Sequence, residues 1–268
     1  MSNIIAICNQ KGGVGKTTTT FNLGAALSLE KGKEVLLIDL DPQANLSEYL
    51  CFADGGRKFT MTQLIAEVAR NAVIAPEIVV DCIHYNKKNN LYYLPADINL
   101  ANAETVMATA LARETILKRI LSEEVTSRFD YVLIDCLPSL GILLINALTA
   151  ANGMIIPVQT QKFSMDGLQA LNSIYTQIRS TINPSLNLIG VLPTMVDNTT
   201  VSKNALRLLS ERYDHIFNTV IHKSVEAAKS SENGNALCKT KNRLGEEYLS
   251  LSNEIVCLMD KRRNKNGN

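Results

Sequence analysis

A glycine-rich segment near the start of the chain has the residue types of a phosphate-binding loop. Its members, in order, are Lys11, Gly12, Gly13, Val14, Gly15, Lys16, Thr17 and Thr18. Glycines let successive backbone N–H groups approach phosphate oxygens with no Cβ in the way. Lys16 can bring a positive charge to the β- and γ-phosphates, and the Thr17 hydroxyl can ligate Mg²⁺. The segment therefore predicts a binding site for ATP and Mg²⁺.

The loop departs from the general phosphate-loop pattern at its first position. That pattern, G-x-x-x-x-G-K-[ST], has a glycine where this chain has Gln10. A second lysine, Lys11, stands five residues before Lys16, where an ordinary phosphate loop has none. Taken by itself, Lys11 is interpreted as a solvated loop lysine.

Two carboxylates follow the second predicted strand. Asp39 and Asp41 stand two residues apart at the carboxyl end of the apolar stretch Val35–Leu40. Open parallel sheets bind their ligands in the crevice at that end of the strands. An Asp-Pro pair also begins ordinary turns. Beside a phosphate loop, the segment is better explained as a switch that becomes ordered when γ-phosphate and Mg²⁺ are bound.

A third aspartate ends another apolar strand. Residues 130–139 read DYVLIDCLPS, and Asp135 closes the apolar run. A carboxylate at this place holds Mg²⁺ through water in phosphate-loop proteins; the alternative is a buried aspartate that caps the next turn. The expected reaction is in-line attack of water on the γ-phosphate, with the charge offset by Lys16 and Mg²⁺. No glutamine or arginine stands out as a further catalytic group, which predicts slow turnover that a partner accelerates.

The elements that must position these residues alternate between strands and helices. The predicted strands are mostly apolar throughout, as expected when helices cover both faces of a parallel sheet. This alternation predicts one α/β domain over residues 1–260, a doubly wound, mostly parallel sheet of the P-loop NTPase class, followed by a basic mobile tail at residues 261–268. The predicted strands are Asn3–Cys8, Glu34–Asp39, Tyr131–Asp135, Met154–Val158 and Leu186–Leu192. The predicted helices are Lys16–Glu30, Leu111–Thr126, Met165–Thr181, Ser202–Tyr213 and Gly245–Met259, and the predicted loops are Asp54–Lys58 and Tyr85–Asn90.

The composition of the chain excludes some classes of protein and gives no support to others. With 46% hydrophobic and 20% charged residues the chain is not disordered, and its net charge of +1 gives no general case for a nucleic-acid binder. The six cysteines include no C-x-x-C pair and are interpreted as reduced thiols of a cytoplasmic protein. The uncharged stretch 137–161 is bracketed by Pro138 and Pro157, so it is predicted to be a buried helix and strand rather than a membrane span.

The loop K-G-G-V-G-K-T-T resembles the deviant Walker A motif of the ParA/MinD ATPases. Within that group the chain is most similar to the ParA/Soj partition proteins, through the D-L-D-P-Q sequence at residues 39–43 and the VLPTMVD sequence at residues 191–197. The resemblance implies a nucleotide-sandwich homodimer in which Lys11 reaches the phosphates of the other subunit. It makes Asp41 the residue that positions the attacking water, Asp39 a contributor to the Mg²⁺ shell through water, and Asp135 the Walker B carboxylate.

The resemblance extends to about Met259 and is weaker in the second half of the chain. Leu137 stands where the family has the first of two prolines, and His222-Lys223 stands where it commonly has Pro-Arg. By resemblance, residues near Met195 and His222 flank the adenine base.

The resemblance also implies partners. ATP dimers of such proteins bind DNA without sequence specificity, which would place this protein on the nucleoid. They drive plasmid or chromosome partition with a ParB-like centromere-binding protein that stimulates hydrolysis. Lys223, Lys241 and Arg243 are the preferred DNA contacts, although each fits a solvated helix face equally well. Other candidates are Lys203, Arg207, Arg212, Lys229, Lys239 and the basic run Lys261-Arg262-Arg263.

Two other functions use a loop of this kind. A membrane-cycling regulator like MinD would need a C-terminal amphipathic helix with bulky apolar residues. The residues after Met259 supply none, so a membrane partner is not expected. An iron–sulfur carrier would need a cysteine pair at the dimer, whereas Cys136 beside Asp135 has no C-x-x-C partner.

Overall fold

One seven-stranded sheet forms the centre of the protein. The computed structural model describes residues 2–52, 59–162 and 165–266, so the predicted loop Asp54–Lys58 lies outside the described residues. The strands are β1 (Asn3–Ile7), β2 (Val35–Leu40), β3 (His84–Asn86), β4 (Leu91–Leu94), β5 (Tyr131–Cys136), β6 (Gly153–Gln159) and β7 (Asn187–Thr194). Their order is β3-β4-β2-β5-β1-β6-β7, and every pair except β3 with β4 is parallel. The predicted mostly parallel α/β sheet is confirmed.

Helices cover both faces of the sheet. They are α1 (Lys16–Lys31), α2 (Asn45–Tyr49), α3 (Met61–Asn71), α4 (Pro76–Cys82), α5 (Ala103–Met107), α6 (Ile116–Ile120), α7 (Glu123–Thr126), α8 (Ile142–Ala150), α9 (Met165–Thr181), α10 (Thr200–Arg212), α11 (Glu226–Asn233) and α12 (Arg243–Asn266). The first core, on one face, takes its helical residues from α3 to α10. The second core, on the other face, takes them from α1, α2 and α12. The uncharged stretch 137–161 forms α8 and the buried parallel strand β6, as predicted.

Successive side chains of the central strands enter opposite cores. In β1, Ile5 and Ile7 belong to the second core and Ala6 belongs to the first. In β2, Leu36 belongs to the first core and Leu37 to the second. Since both faces are covered, these strands are apolar throughout, and a polar residue at a strand end is exceptional.

The predicted helix over residues 111–126 is wrong. A 3₁₀ turn at Arg113–Thr115 leads into α6, and the chain leaves the helical conformation at Leu121 (φ −90°, ψ 47°). Ser122 has extended backbone before α7, whose first turn contains two glutamates. A serine followed by acidic residues favours a new helix start, because acidic side chains interact well with the positive end of the helix dipole.

The predicted loop at residues 85–90 is partly wrong. Its first part belongs to β3, which pairs antiparallel with β4, and only residues 87–90 form the turn. Asn86 donates to the backbone oxygen of Leu50, and Asn89 donates to that of Gly234. The asparagines that suggested a loop therefore fasten an edge hairpin to its neighbours.

The last helix continues past its predicted end. Because α12 runs to Asn266, residues 261–266 are helical rather than a separate tail, and Gly267 and Asn268 lie outside the described residues. The Arg262 guanidinium donates to the backbone oxygen of Leu188 in β7, which fixes this turn against the sheet. None of the helices in the described parts of the chain is both long and apolar enough to cross a membrane.

Candidate active site

The loop between β1 and α1 lies at the middle of the sheet, where β1 runs between β5 and β6. Gly13 (φ 69°) and Gly15 (φ 88°) adopt the left-handed backbone conformation, which residues with a Cβ rarely adopt. A Cβ built at either glycine, or at Gly12, meets no described atom within 4 Å. The loop therefore borders open space, as a phosphate cradle must.

Side chains from distant parts of the sequence hold this loop in place. Asn9 accepts from the Lys11 N–H at 3.0 Å and donates to the backbone oxygen of Pro157 in β6 at 2.7 Å. Thr194, at the end of β7, donates to the backbone oxygen of Val14 at 2.8 Å. Three strands thus fix the loop. No local pattern in the sequence indicates a role for Asn9 or Thr194, since the partners are remote in the chain.

Lys16 is buried in the first turn of α1 and is aimed back at the loop. Its side-chain amine donates to the backbone oxygen of Lys11 at 3.2 Å, and the residue is 6% exposed. Burial lowers the pKa of Lys16, and the nearby Asp135 carboxyl opposes that shift. An ammonium group in so dry a site is stabilised by adding negative charge, such as a phosphate.

Asp135 lies at the end of β5 with one carboxyl oxygen still to be satisfied. Thr20 donates to Oδ1 at 3.3 Å, and the Thr17 hydroxyl also hydrogen-bonds to the carboxyl. Oδ2 is buried and has no hydrogen-bond partner among the described residues. Burial, with a further contribution from Asp39, raises the pKa of Asp135 to about 8, against the effects of Thr17 and Lys16. An orphaned carboxylate oxygen beside a threonine hydroxyl fits a hydrated Mg²⁺.

Asp39 uses both carboxyl oxygens to shape the segment after β2. Its Oδ1 accepts from the Asp41 N–H at 3.1 Å, and its Oδ2 accepts from the backbone N–H and the hydroxyl of Ser47 at 2.9 and 2.7 Å. Burial raises the pKa of Asp39 to about 6, although these hydrogen bonds oppose the shift. Asp39 therefore anchors the turn that presents Asp41. Its place in a Mg²⁺ shell stays a prediction.

Asp41 lies on the wall of a cavity of about 390 Å³ that the loop borders. Its Oδ1 accepts from the Gln43 N–H at 2.9 Å, and the residue is 9% exposed. The lining residues are Gly12, Gly13, Gly15, Lys16, Thr17, Thr18, Asp41, Gln43, Asn45, Tyr49, Pro138 and Met195. The cavity thus brings Lys16, Thr17 and Asp41 together with the loop glycines, whereas Lys11, Asp39 and Asp135 are not among its lining residues. It also places Gln43, which sequence reasoning passed over, on the same wall.

A second cavity of about 260 Å³ adjoins the first and shares Met195 with it. Its lining residues are Gly15, Thr18, Thr194, Met195, Ile221, His222, Lys223, Ser224, Ala227, Ala228, Leu244 and Tyr248. Met195 has φ 51°, an unusual backbone conformation for a residue with a Cβ. Met195 and His222, the two residues expected to flank adenine, therefore border one mostly apolar pocket. This pocket lies next to the first cavity, which is called the phosphate cavity below.

The three preferred DNA contacts have different surroundings. Lys223 and Lys241 are exposed, and Lys223 also lines the second cavity. Arg243 is 69% exposed, and its guanidinium pairs with Glu247 at 2.9 Å and contacts His222 at 2.6 Å. The role of all three toward DNA stays a prediction.

Cys136 is the last residue of β5, next to Asp135, and contacts a second cysteine. Its thiol hydrogen-bonds with that of Cys8 at the end of β1, and this contact together with burial raises the pKa of Cys136. Both cysteines are buried and reduced. The described residues contain no group of three or more His, Cys, Asp or Glu side chains arranged to hold a metal ion.

Comparison with known proteins identifies relatives of this chain. The family model for an AAA domain matches residues 2–188. The chain is 39% identical over 260 residues to the sporulation initiation inhibitor protein Soj of Bacillus subtilis, covering 96% of this chain and 99% of that protein. It is 38% identical over 237 residues to the chromosome-partitioning ATPase Soj of Treponema pallidum, covering 87% of this chain and 88% of that protein.

A solved structure shares the fold over nearly the whole chain. It is the cobyrinic acid a,c-diamide synthase from Mycobacterium smegmatis with bound ATP analogue and magnesium. The two are 33% identical with a TM-score of 0.73, covering 91% of this chain and 98% of that one. Because the chain matches most of the length of both Soj relatives at 38–39% identity, it belongs to the ParA/Soj family of partition ATPases.

Proposed function

We propose that this protein is a Mg²⁺-dependent ATPase that dimerises around ATP. In that state it binds DNA without sequence specificity and positions a plasmid or chromosome with a ParB-like partner. The observation that carries the proposal is the buried pair of Lys16 and Asp135 beside an open glycine loop. A cation aimed at the loop and a carboxylate with an unpaired oxygen are the groups that a phosphate–Mg²⁺ complex requires.

The residues that would hold Mg²⁺ are Thr17 and Asp135, with Asp39 as a contributor through water. When bound, Mg²⁺ offsets the charge on the phosphate oxygens. Because Asp135 accepts from Thr20 and Thr17, its orientation is set before ligands arrive. A preset carboxylate reduces the reorganisation needed for binding.

Asp41 is the residue that would position the attacking water. Its carboxyl is held by the Gln43 N–H, so the side chain stays on the wall of the phosphate cavity. Water attacks the γ-phosphorus, the bond to the bridging oxygen breaks, and ADP and phosphate leave. The described lining residues of this cavity contain no arginine. Slow turnover in one subunit and acceleration by a partner agree with that composition, because a supplied arginine can speed such reactions greatly.

Lys11 is the group that would make the dimer depend on ATP. It is part of the loop that borders the phosphate cavity, and its backbone N–H is fixed by Asn9. A lysine from a second subunit would bring another positive charge to the phosphates. Nucleotide binding and association would then stabilise each other.

The exposed lysines Lys223 and Lys241 would contact DNA phosphates in this dimer. Contacts to phosphate carry no sequence information and weaken steeply with salt. The near-complete coverage of the partition relatives supports this cellular role.

The proposal is tested by measuring phosphate release and molar mass on the same sample. We expect Mg²⁺-dependent, slow phosphate release from ATP, and a dimer with ATP but not with ADP. Lys16→Ala should abolish both, whereas the exposed Lys118→Ala on α6 should leave both unchanged. An ATP-loaded protein that binds liposomes but not DNA would instead favour a membrane-cycling function.

A further inference from the structure

His222 borders the second cavity with both of its ring nitrogens occupied. Nδ1 lies 2.7 Å from Glu247 Oε1, and Nε2 lies 2.6 Å from an Arg243 guanidinium nitrogen. A guanidinium can only donate, so Nε2 accepts and the ring proton sits on Nδ1, which donates to Glu247. Both ring nitrogens are therefore engaged within the protein, and neither is left for a ligand.

Glu247 holds this arrangement from the second turn of α12. It accepts from the His222 N–H at 2.8 Å as well as from the ring, and it accepts from Arg243 Nε at 2.9 Å. Its side chain is 13% exposed. On the other side, His222 forms a parallel bridge with Val196, just after β7. The ring is thus fixed from the helix and from the end of the sheet.

The rest of the pocket suits a flat ring. Its walls are mostly apolar, and Ile221, Leu244 and Tyr248 are among the residues that line it. Met195 stands between the pocket and the phosphate cavity. A ligand that fills both cavities would have a charged group at the glycine loop and a mostly apolar group in this pocket.

We propose that Glu247 and Arg243 are positioning residues of the base site, which hold the His222 ring so that it presents a face to the adenine of ATP. This inference rests on the proposed function, because it assumes that ATP phosphates occupy the glycine loop. It gives Arg243 a role at the nucleotide in addition to the DNA contact expected from sequence.

The test compares two probes that share phosphates but differ in the base: ATP and inorganic tripolyphosphate, each with Mg²⁺. Affinities are measured by calorimetry on the full chain. His222→Ala should lower the affinity for ATP about tenfold, because the stacking of the adenine on the ring is lost. His222→Phe keeps a flat face but loses both hydrogen bonds, to Glu247 and to Arg243, so it should recover only part of that loss. Tripolyphosphate affinity should be the same in all three proteins.

Glu247→Gln tests the positioning role. The affinity for ATP should fall roughly fivefold, which is the effect of losing about one hydrogen bond. The affinity for tripolyphosphate should be unchanged. Glu211→Gln is the matched control, because Glu211 also pairs with an arginine four residues earlier in its helix. If Glu247→Gln does not fold, the exposed Arg243→Gln carries the same comparison.

The outcomes separate this inference from the proposed function. Equal losses for ATP and tripolyphosphate, unchanged ATP affinity in both the Glu247→Gln and Arg243→Gln variants, or a His222→Phe variant that binds ATP as tightly as wild type would overturn the positioning role. Failure of wild type to bind tripolyphosphate, or retention of that binding by Lys16→Ala, would instead contradict the proposed function.

Discussion

Asp39 and Asp135 are register partners at the carboxyl ends of the neighbouring strands β2 and β5. Each residue is 1% exposed. Burial is the main reason that the pKa of Asp135 rises to about 8 and that of Asp39 to about 6, and the Asp39 carboxyl adds to the shift at Asp135. Two buried carboxyls side by side destabilise the protein when ionised, and a cation between strand ends and phosphates relieves that repulsion.

The Asp135→Asn variant should be more stable than wild type without nucleotide and Mg²⁺ at alkaline pH. The folded-state pKa of Asp135 lies above its ordinary value of 3.8, so folding favours the protonated form. Wild type therefore loses stability as pH rises from about 4 to about 8, and asparagine removes this loss. Thermal unfolding in chelator across that window measures the effect.

We expect the variant's melting temperature to exceed that of wild type at pH 8, and the difference to shrink towards pH 4. The exposed Asp81→Asn is the control and should follow wild type. Adding Mg²⁺ and ATP should reverse the order, because a ligand that binds only the folded state stabilises it. Parallel pH profiles for Asp135→Asn and wild type would refute this account of Asp135.

The Lys11→Ala variant should bind ATP but remain monomeric. Lys16, Thr17 and the loop glycines stay in place, so most phosphate contacts within one subunit survive. The charge proposed to cross to the other subunit is lost. Light scattering at saturating ATP measures the mass, and nucleotide affinity is measured on the same protein. A dimer that forms as well as in wild type would rule out the cross-subunit role of Lys11.

The Asp41→Ala variant should accumulate as an ATP dimer. Removing the water-positioning carboxylate should slow phosphate release by about 100-fold or more, while nucleotide binding persists. Because Asp41 uses Oδ1 to hold the Gln43 N–H, Asp41→Asn is the more conservative variant and keeps that acceptor. Single-turnover phosphate release with both variants gives the measurement. Normal release from either one would assign the role elsewhere, with Gln43 on the same wall as the next candidate.

The part of the fold that the sequence predicts best is the part governed by local rules. The glycine loop lies between a strand and a helix in sequence, and the structure has β1 and α1 there. Asp39 and Asp135 could be placed at strand ends because apolar runs stop at them. The sequence did not predict that β2 and β5 are neighbours, which makes the two aspartates register partners.

What the sequence could not supply depends on contacts between distant residues. Asn9 and Thr194 bond to partners 148 and 180 residues away, and no local pattern indicates either contact. The strand β3 was not predicted, because its asparagine is a residue that usually marks a turn. Its pairing with β4 decides its conformation. The hydrogen bond between His222 and Glu247 joins a residue beside the end of the sheet to α12. The sequence alone therefore did not indicate a role for Glu247.

We propose that ATP switches this protein onto DNA, and co-sedimentation with DNA measures that switch. Binding is measured with ATP, ADP and no nucleotide, on two unrelated DNA sequences and across a salt series. We expect binding with ATP only, equal on both sequences and lost steeply as salt rises. Lys16→Ala and Lys11→Ala should fail to bind, and Lys118→Ala should bind normally. Equal DNA binding with ADP and ATP, or none in any state, would contradict the account.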